Sequence, residues 1–463
     1  MSRYLTAVNL TGAEALLLYG GWGGRLVQVP LPFHAAAQAL LDAPNRPDAD
    51  AELLRLFRDH AILVPEEWDE LDLLERRSRA VRQRYSPHLS LTICPTLDCN
   101  FRCVYCYQRH LRGQMSPQVQ DAVVEFVERR EPPVESLEVT WFGGEPLLGL
   151  PVIEALSARL MGLSDGQVRY RASIITNGWL LTPETCRALA ALGVRRAQVT
   201  LDGPAEVHDR RRPHANGQPT FGRIVANLAK ADPRLSISIR VNVDEHNRDR
   251  LVPELFDQLD AAGLCGRVGV YFAPVAAYTE VCADVAGSCV APRVWSQMQA
   301  QLHLAAFERG YGGPALPRSR ANFCLADNVN GWVINSAGLV FKCWNDVTRP
   351  QHAVRNLLEG EPTPQMQREL ARWLEWNPFA LAECRDCPAL PQCLGGCPHQ
   401  AMAQPQPIKH GDCDELRYNL PQTVATYYLA ERQKESATEV LQRLHEWLPD
   451  MVPDPKADRS PQA

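Results

Sequence analysis

Features that would assign the chain to a membrane, an export pathway or a nucleic acid are absent from its 463 residues. No run of about 18 apolar residues occurs, which argues against a membrane-spanning helix. The start, MSRYLTAVNLTGAEALLLYGG, lacks the basic n-region, continuous apolar core and cleavage site of a signal peptide. The net charge is -6 and the longest arginine run, 210–212, is short, as on a solvated face or a local anion site. We therefore expect a cytoplasmic protein with no nucleic-acid partner and no membrane partner.

The cysteine content is the one unusual feature of the composition. Fifteen cysteines occur in a chain whose hydrophobic (45%) and charged (22%) contents are ordinary for a globular protein. Because the cytosol keeps thiols reduced, disulfides are poor candidates, and ligation of a metal or cluster becomes the first hypothesis. The spacing of the cysteines has to decide between disulfides and the ligation of a metal or cluster.

Residues 1–85 are predicted to form a small separate unit. Three apolar segments divided by glycine-rich turns are followed by three helical patterns, at 4–9, 15–19 and 26–30, then 32–41, 49–58 and 66–84. This order predicts a small winged α+β domain. Without further information it is equally well explained as a structural cap.

Residues 86–295 alternate between strand and helix patterns. The six strand segments are LSLTIC (89–94), LEVTWF (137–142), RASIITN (171–177), RAQVTLD (196–202), SISIRVNV (236–243) and RVGVYFAP (267–274). Continuous apolar strands separated by helices indicate a parallel sheet covered by helices. Such sheets carry their chemistry at the carboxyl ends of the strands, and GGEP, NG and DGP follow the second, third and fourth strands here.

The remainder of the chain has a different character. Residues 296–430 are irregular and rich in cysteine and proline, and a helix is predicted from about 420 to 448. The last predicted unit, 431–463, combines the end of this helix with a tail, PDPKADRSPQA, of disordered composition.

The first cysteine cluster directly follows the first strand of the predicted sheet. Cys99, Cys103 and Cys106 have the spacing C-x3-C-x2-C. Three thiolates so close in sequence can hold three irons of a [4Fe–4S] cluster and leave the fourth iron open. The alternative is a zinc site completed by a histidine such as His110, although zinc sites usually use C-x2-C pairs.

The string CNFRCVYCY is followed by WFGGEPLL, TNG and QVTLDGPAEVHDRRR, each at a predicted strand end. This combination resembles the radical S-adenosylmethionine (SAM) superfamily over residues 89–275. The resemblance implies an α/β fold, a partial (β/α)6 TIM-like barrel. It also implies SAM bound to the open iron of the cluster on the three cysteines.

The resemblance further implies which residues contact SAM. In the family a GGE motif holds the methionyl amine, an arginine holds the carboxylate, a hydroxyl residue lies near SAM, and an aromatic residue between the second and third cysteines contacts adenine. The matching positions here are, in that order, Gly143, Gly144 and Glu145, then Arg212, Thr200 and Tyr105.

Seven more cysteines in the C-terminal third resemble the SPASM extension, although their spacing alone would also suit a zinc ribbon. The extension implies two auxiliary [4Fe–4S] clusters, and its arrangement assigns four cysteines to the outer cluster and three to the inner: Cys384, Cys387, Cys393 and Cys413, then Cys324, Cys343 and Cys397.

The eighth cysteine of the fully ligated families is replaced here by Arg318. The inner cluster would therefore have either an open iron or another ligand, such as Cys282 or Cys289. The other three cysteines are expected to be buried apolar residues: Cys94, Cys186 and Cys265.

The reaction implied by the resemblance is the reductive cleavage of SAM to a 5′-deoxyadenosyl radical, which abstracts hydrogen from the substrate. The cofactors perform this chemistry, and a flavodoxin- or ferredoxin-type donor supplies the electron. The leading hypothesis is an oxidoreductase that matures a ribosomally made precursor peptide by forming a thioether or carbon–carbon crosslink. Residues 1–30 would bind the leader peptide as an added β-strand.

Two alternatives remain open. An anaerobic sulfatase maturase would form formylglycine, but such enzymes begin close to the cluster motif, and their proposed base directly follows the cysteine equivalent to Cys343. Trp344 stands at that position and Asp346 lies two residues later. A non-catalytic metal- or peptide-binding module would bind zinc and would leave Glu145 and Arg212 without a task.

Overall fold

The structure is a computed structural model that describes residues 1–10, 15–248, 252–403, 413, 415–432 and 439–440. The predicted tail and most of the predicted helix beyond residue 432 lie outside the described residues. Among the described residues, no helix has both the length and the apolar character needed to cross a membrane.

Thirteen strands are present in the described residues. They are β1 Leu5–Leu10, β2 Ala15–Gly20, β3 Arg25–Val29, β4 His88–Leu97, β5 Leu111–Gln114, β6 Ser136–Gly143, β7 Arg169–Thr176, β8 Val194–Thr200, β9 Ser236–Val243, β10 Val268–Pro274, β11 Gly331–Ile334, β12 Leu339–Phe341 and β13 Arg355–Asn356.

Fifteen α-helices are found in the same part of the chain. They are α1 His34–Asp42, α2 Ala51–Asp59, α3 Glu70–Gln83, α4 Pro117–Glu128, α5 Leu150–Met161, α6 Pro183–Ala191, α7 Ala205–Arg211, α8 Phe221–Ala229, α9 Val252–Ala261, α10 Pro292–Glu308, α11 Pro364–Leu374, α12 Ala382–Arg385, α13 Leu390–Cys393, α14 Pro398–Ala403 and α15 Leu416–Tyr427.

The first sheet is antiparallel, with the order β1-β2-β3. One face packs on α1 and α2 through residues such as Leu18, Val29 and Phe57. The opposite face packs on the C-terminal helix α15 through residues that include Leu17 and Val424. Apolar side chains therefore point to both faces of β2, all of whose residues are buried. The small N-terminal unit is consequently anchored to the C-terminal part of the chain.

The second sheet contains the six predicted parallel strands in the order β10-β9-β8-β7-β6-β4. Each parallel strand pairs with the next parallel strand along the chain, and helices α4 to α9 connect them, as in a partial (β/α)6 barrel. Buried apolar side chains of these strands pack with the inner faces of the helices in one large hydrophobic core. The predicted α/β fold class is confirmed.

The sheet continues beyond the six predicted strands. β11 adds to β4 in parallel, β12 and β13 follow antiparallel, and β5 forms a short antiparallel arm on β4. From the sequence, this C-terminal segment was predicted only to be irregular, because β11 has four residues and β12 has three. Such short segments carry too little periodicity to be recognised.

The three cysteines expected to be buried do not behave alike. Cys94 and Cys186 are buried, as predicted. The prediction for Cys265 is wrong, because its thiol is exposed and lies 3.2 Å from the carbonyl of Arg309. Cys265 belongs to the turn between α9 and β10, and a turn at the protein surface does not bury its side chains.

Candidate functional site

The carboxyl ends of the barrel strands and the cysteine-rich segment enclose one cavity of about 1060 Å³. All ten cysteines expected to bind clusters line it, and so do all the expected SAM contacts except Glu145. Residues that lie more than 300 positions apart in the sequence therefore meet in one chamber. Its lining is mainly apolar and aromatic, with a few polar groups, as is typical of a small-molecule site.

The loop after β4 places the first three cysteines at one end of this cavity. The Cys99 amide donates to the Asp98 carboxylate at 2.8 Å, and the Cys106 amide donates to the Cys103 carbonyl at 3.2 Å. Burial raises the pKa of Cys103 to about 11, although the nearby charge of Arg212 lowers it. His110 lies 3.7 Å from the Cys106 sulfur, so the fourth ligand of the zinc alternative is also within reach.

The two glycines of the GGE motif are required by the fold itself. A Cβ on Gly143 would lie 2.2 Å from the carbonyl oxygen of Thr96, and one on Gly144 would lie 2.2 Å from that of Asp98. Gly143 also has a φ of 125°, which strongly favours glycine. The turn after β6 can therefore approach the cysteine loop closely only without side chains.

We expect Gly144→Ala to destabilise the fold by about 1–3 kcal/mol, because the added methyl group overlaps a backbone oxygen that cannot rotate away. The measurement is the free energy of unfolding by urea denaturation. Gly222→Ala in α8 is the matched control, since a Cβ there meets no atom within 4 Å. Equal stabilities of the two variants would contradict this explanation.

Glu145 is fully buried behind the cavity wall rather than exposed in it. Its carboxylate accepts hydrogen bonds from the amides of Leu147 (3.0 Å) and Asn177 (2.7 Å) and from the Thr176 hydroxyl (2.7 Å). Burial raises the pKa of Glu145, whereas these donors lower it. The carboxylate thus ties the end of β7 to the GGE turn, and its contact with a SAM amine stays a prediction.

Arg212 and Tyr105 are joined at the cavity wall. The guanidinium donates to the Tyr105 hydroxyl at 2.6 Å, and that hydroxyl donates in turn to the carboxylate of Asp202. Asn242 donates to the same hydroxyl at 3.1 Å. The Nε of Arg212 is buried and has no hydrogen-bond partner among the described residues. Arg212, which lines the cavity, is therefore held in place through its contact with Tyr105.

Several members of this network were not predicted from the sequence. Asp202 lies two residues after β8, Asn242 is the penultimate residue of the neighbouring β9, and the Asn242 backbone amide donates to the Asp202 carboxylate at 3.0 Å. Arg211 is buried and binds the Asp244 carboxylate at 2.8 Å, so it is not part of a solvated face. Arg210 alone is exposed, where it pairs with Glu206. The position of Asp202 shortly after a strand was the available signal.

The seven C-terminal cysteines line the same cavity. Burial raises the pKa of Cys324 to about 12, and the neighbouring Cys397 raises it further by a smaller amount. Burial also raises the pKa of Cys343, and its neighbours, which include Cys324 and Cys397, add to this effect. Burial likewise raises the pKa of Cys384 to about 12, with contributions from Cys413 and Cys387. Members of each expected ligand set are thus mutual neighbours, while the assignment of ligands stays a prediction.

The two other cysteines considered for the inner cluster point elsewhere. Cys282 is buried, does not line the cavity, and donates to the Thr279 carbonyl at 3.3 Å. Cys289 lines the cavity, but its thiol donates to the Val285 carbonyl at 3.3 Å. Neither thiol is among the main groups that raise or lower the pKa of Cys324 or of Cys343.

The residues at the β4 end of the cavity fit the cofactors that the sequence implies. Three thiols in one loop are soft ligands suited to iron–sulfur clusters. Beside them, Arg212 lines the cavity and brings a guanidinium, a group suited to a carboxylate, and a cavity of about 1060 Å³ has room for a SAM-sized molecule.

Comparison with known proteins agrees with this geometry. Residues 93–232 match the family model of the radical SAM superfamily. A GTP 3′,8-cyclase of Synechococcus sp. (strain WH7803) is 38% identical over 128 residues, which cover 26% of this chain and 36% of that protein. The cysteine-type anaerobic sulfatase-maturating enzyme of Clostridium perfringens is 27% identical over 146 residues, covering 30% of this chain and 39% of the enzyme. The chain thus matches little more than a third of either relative.

The fold similarity extends further than the sequence similarity. The solved structure of native anSMEcpe with bound AdoMet and Cp18Cys peptide superposes with a TM-score of 0.54 at 17% identity, covering 73% of this chain and 98% of that one. The likeness supports a shared fold beyond residues 93–232. The chain therefore contains, over residues 93–232, a domain of the radical SAM superfamily of enzymes.

Proposed function

We propose that the chain is a radical SAM enzyme that oxidatively modifies a peptide with the help of two auxiliary [4Fe–4S] clusters. The observation that carries this proposal is the single cavity that is lined both by Cys99, Cys103 and Cys106 and by the seven C-terminal cysteines. A substrate in this cavity would lie between the two groups of thiols.

Each part of the cavity wall would have a distinct task. When bound, SAM and its cluster supply a 5′-deoxyadenosyl radical that abstracts a hydrogen atom. Arg212 would hold the SAM carboxylate, and the Tyr105–Asp202 pair keeps the guanidinium in place. Gly143 and Gly144 would present their backbone to the amine, and Thr200 lines the wall nearby.

Aromatic side chains would exclude water from the reacting centre. The Phe142 and Trp344 rings pack with their centroids 5.4 Å apart, and those of Tyr107 and Tyr278 are 5.8 Å apart in an edge-to-face arrangement. All four line the cavity. An apolar wall protects a carbon-centred radical from side reactions with solvent.

An unpaired edge of the N-terminal sheet favours the hypothesis that the substrate is a peptide. β3 pairs only with β2 among the described residues, so its other edge is unpaired, and Arg25 and Gln28 on this strand are exposed. An extended leader peptide can add to such an edge as a further strand. We accordingly propose residues 1–85 as the recognition domain, 86–295 as the barrel and 296–430 as the auxiliary-cluster domain. The boundary at 295 falls within α10.

A thioether or carbon–carbon crosslink in the peptide is our preferred product. Formylglycine formation is the second candidate, because relatives of that type match the chain in sequence. Asp346, the nearest carboxylate to the position of the expected base, does not line the large cavity. It is buried and bound to Arg349 at 2.9 Å. Trp344 lines the cavity instead, which favours the crosslinking hypothesis.

The test is anaerobic reconstitution followed by iron analysis and incubation with SAM and a reductant. We expect about twelve irons per chain, for three [4Fe–4S] clusters, and release of 5′-deoxyadenosine. Bound zinc with intact SAM would instead support a metal- or peptide-binding module. Mass spectrometry of a short cysteine-containing peptide encoded beside this gene then separates the two reactions. A crosslink removes two hydrogens and retains the cysteine sulfur, whereas conversion of that cysteine to formylglycine replaces its sulfur by oxygen.

A further inference from the structure

A buried histidine lies beside the expected inner auxiliary site. The ligand atoms of Cys343, Asp346 and His399 all lie within 4.8 Å of one another, and all three residues are buried. No other group of three such residues is this close among the residues that the structure describes. His399 follows Cys397, another expected inner ligand, by two positions, so one short segment carries both.

We propose that His399 is the fourth protein ligand of the inner auxiliary cluster, beside Cys324, Cys343 and Cys397. This inference rests on the proposed function, because it needs a cluster at the C-terminal cysteines. Imidazole replaces cysteine as a ligand in some iron–sulfur centres, where it raises the reduction potential. His399, which lies in α14, would then supply the ligand that is lost where Arg318 replaces the eighth cysteine of the family.

The surroundings of His399 favour the imidazole over the neighbouring carboxylate as ligand. Asp346 already accepts from Arg349 at 2.9 Å, and the Nε2 of His399 lies 3.3 Å from the same carboxylate. With Nε2 protonated and donating to Asp346, Nδ1 is the nitrogen that would bind iron. A carboxylate that accepts the second ring N–H is the usual partner of a metal-bound histidine, because it fixes the orientation of the ring. The Trp373 and Tyr278 rings, both 6.2 Å from the imidazole, further restrict it.

The rival thiols are less suitably placed. The thiols of Cys282 and Cys289 donate to backbone carbonyls of their own segment, and neither residue belongs to a group of close potential ligands. His352 provides a useful comparison. It lines the same smaller cavity of about 350 Å³ as His399, and neither histidine lines the large cavity. His352 contacts Glu369, whereas His399 lies within 4.8 Å of the Cys343 sulfur, and Cys343 lines the large cavity.

The experiment uses full-length protein with Cys99, Cys103 and Cys106 changed to alanine, so that only auxiliary clusters assemble. The protein is labelled with 15N-histidine, reconstituted and reduced, and pulsed EPR is recorded. We expect a strong hyperfine coupling that changes from 14N to 15N with the label. Since the labelled parent needs no substitution at residue 399, the result does not depend on how well a variant folds.

Variants then assign the nitrogen. His399→Ala should remove the coupling and His352→Ala should retain it. His399→Cys should keep the iron, lose the coupling and shift the midpoint potential to more negative values. Iron at the C-terminal cysteines without a coupled histidine nitrogen, or a coupling that survives His399→Ala, would overturn the proposal while leaving the proposed function intact. Absence of auxiliary iron would overturn both.

Discussion

Replacing Cys99, Cys103 and Cys106 together by alanine is expected to abolish 5′-deoxyadenosine formation and to remove about four of about twelve irons. The physical reason is that these three thiols are the proposed ligands of the first cluster, in the loop after β4, next to Arg212 and the GGE turn. The C-terminal cysteines line another part of the cavity and should keep their iron. The measurements are iron content and chromatographic detection of the cleavage product.

Cys265→Ala is the control for this experiment. Its thiol is exposed and does not line the cavity, so iron content and SAM cleavage should equal those of the parent. Continued SAM cleavage by the triple variant would refute the assignment of the first cluster. Loss of all iron would show instead that the auxiliary sites depend on the first one.

Arg212→Lys is expected to weaken SAM binding by about 10- to 150-fold, the equivalent of about 1.5–3 kcal/mol for a hydrogen bond between charged groups. Lysine keeps the positive charge but cannot donate simultaneously to Tyr105 and to a carboxylate in the planar geometry of a guanidinium. The measurement is the equilibrium binding of SAM to reconstituted protein by calorimetry.

A ligand comparison makes this second experiment specific. With an S-adenosyl analogue that lacks the methionyl carboxylate, parent and variant should bind equally well, since the missing group is the one that Arg212 would hold. Arg210→Lys is the matched control. It lies two residues away, is exposed and pairs with Glu206. An equal loss of affinity for both ligands would mean that Arg212 only maintains the fold of the wall.

Much of the barrel was predictable because its strands are long, apolar and regularly spaced. The six predicted segments correspond to β4 and β6–β10, and the motifs at their ends meet in the cavity as the parallel topology requires. β11 was not predictable, since its four residues gain their strand conformation from pairing with β4, which is a long-range contact. The four residues themselves do not indicate that they pair with β4.

The roles of individual site residues were harder to predict than their location. The GGE motif indicated a SAM contact for Glu145, whereas the structure shows its carboxylate occupied by three donors from its own chain. The arginine run suggested a solvated face or a local anion site, yet Arg210 is exposed and pairs with Glu206, whereas the next residue, Arg211, is buried. Such distinctions depend on which side of α7 packs on the barrel, and that is decided by tertiary contacts.

The pairing of β11 with β4 has a consequence for electron transfer between the proposed clusters. Four residue pairs join these strands, and β12, which leads into Cys343, is hydrogen-bonded to β11. The segments that lead into Cys99 and Cys343 thus belong to one continuous ladder, and a hinge between them would have to break it. Tunnelling rates fall steeply with distance, so this shared ladder would keep the donor–acceptor gap the same from one turnover to the next.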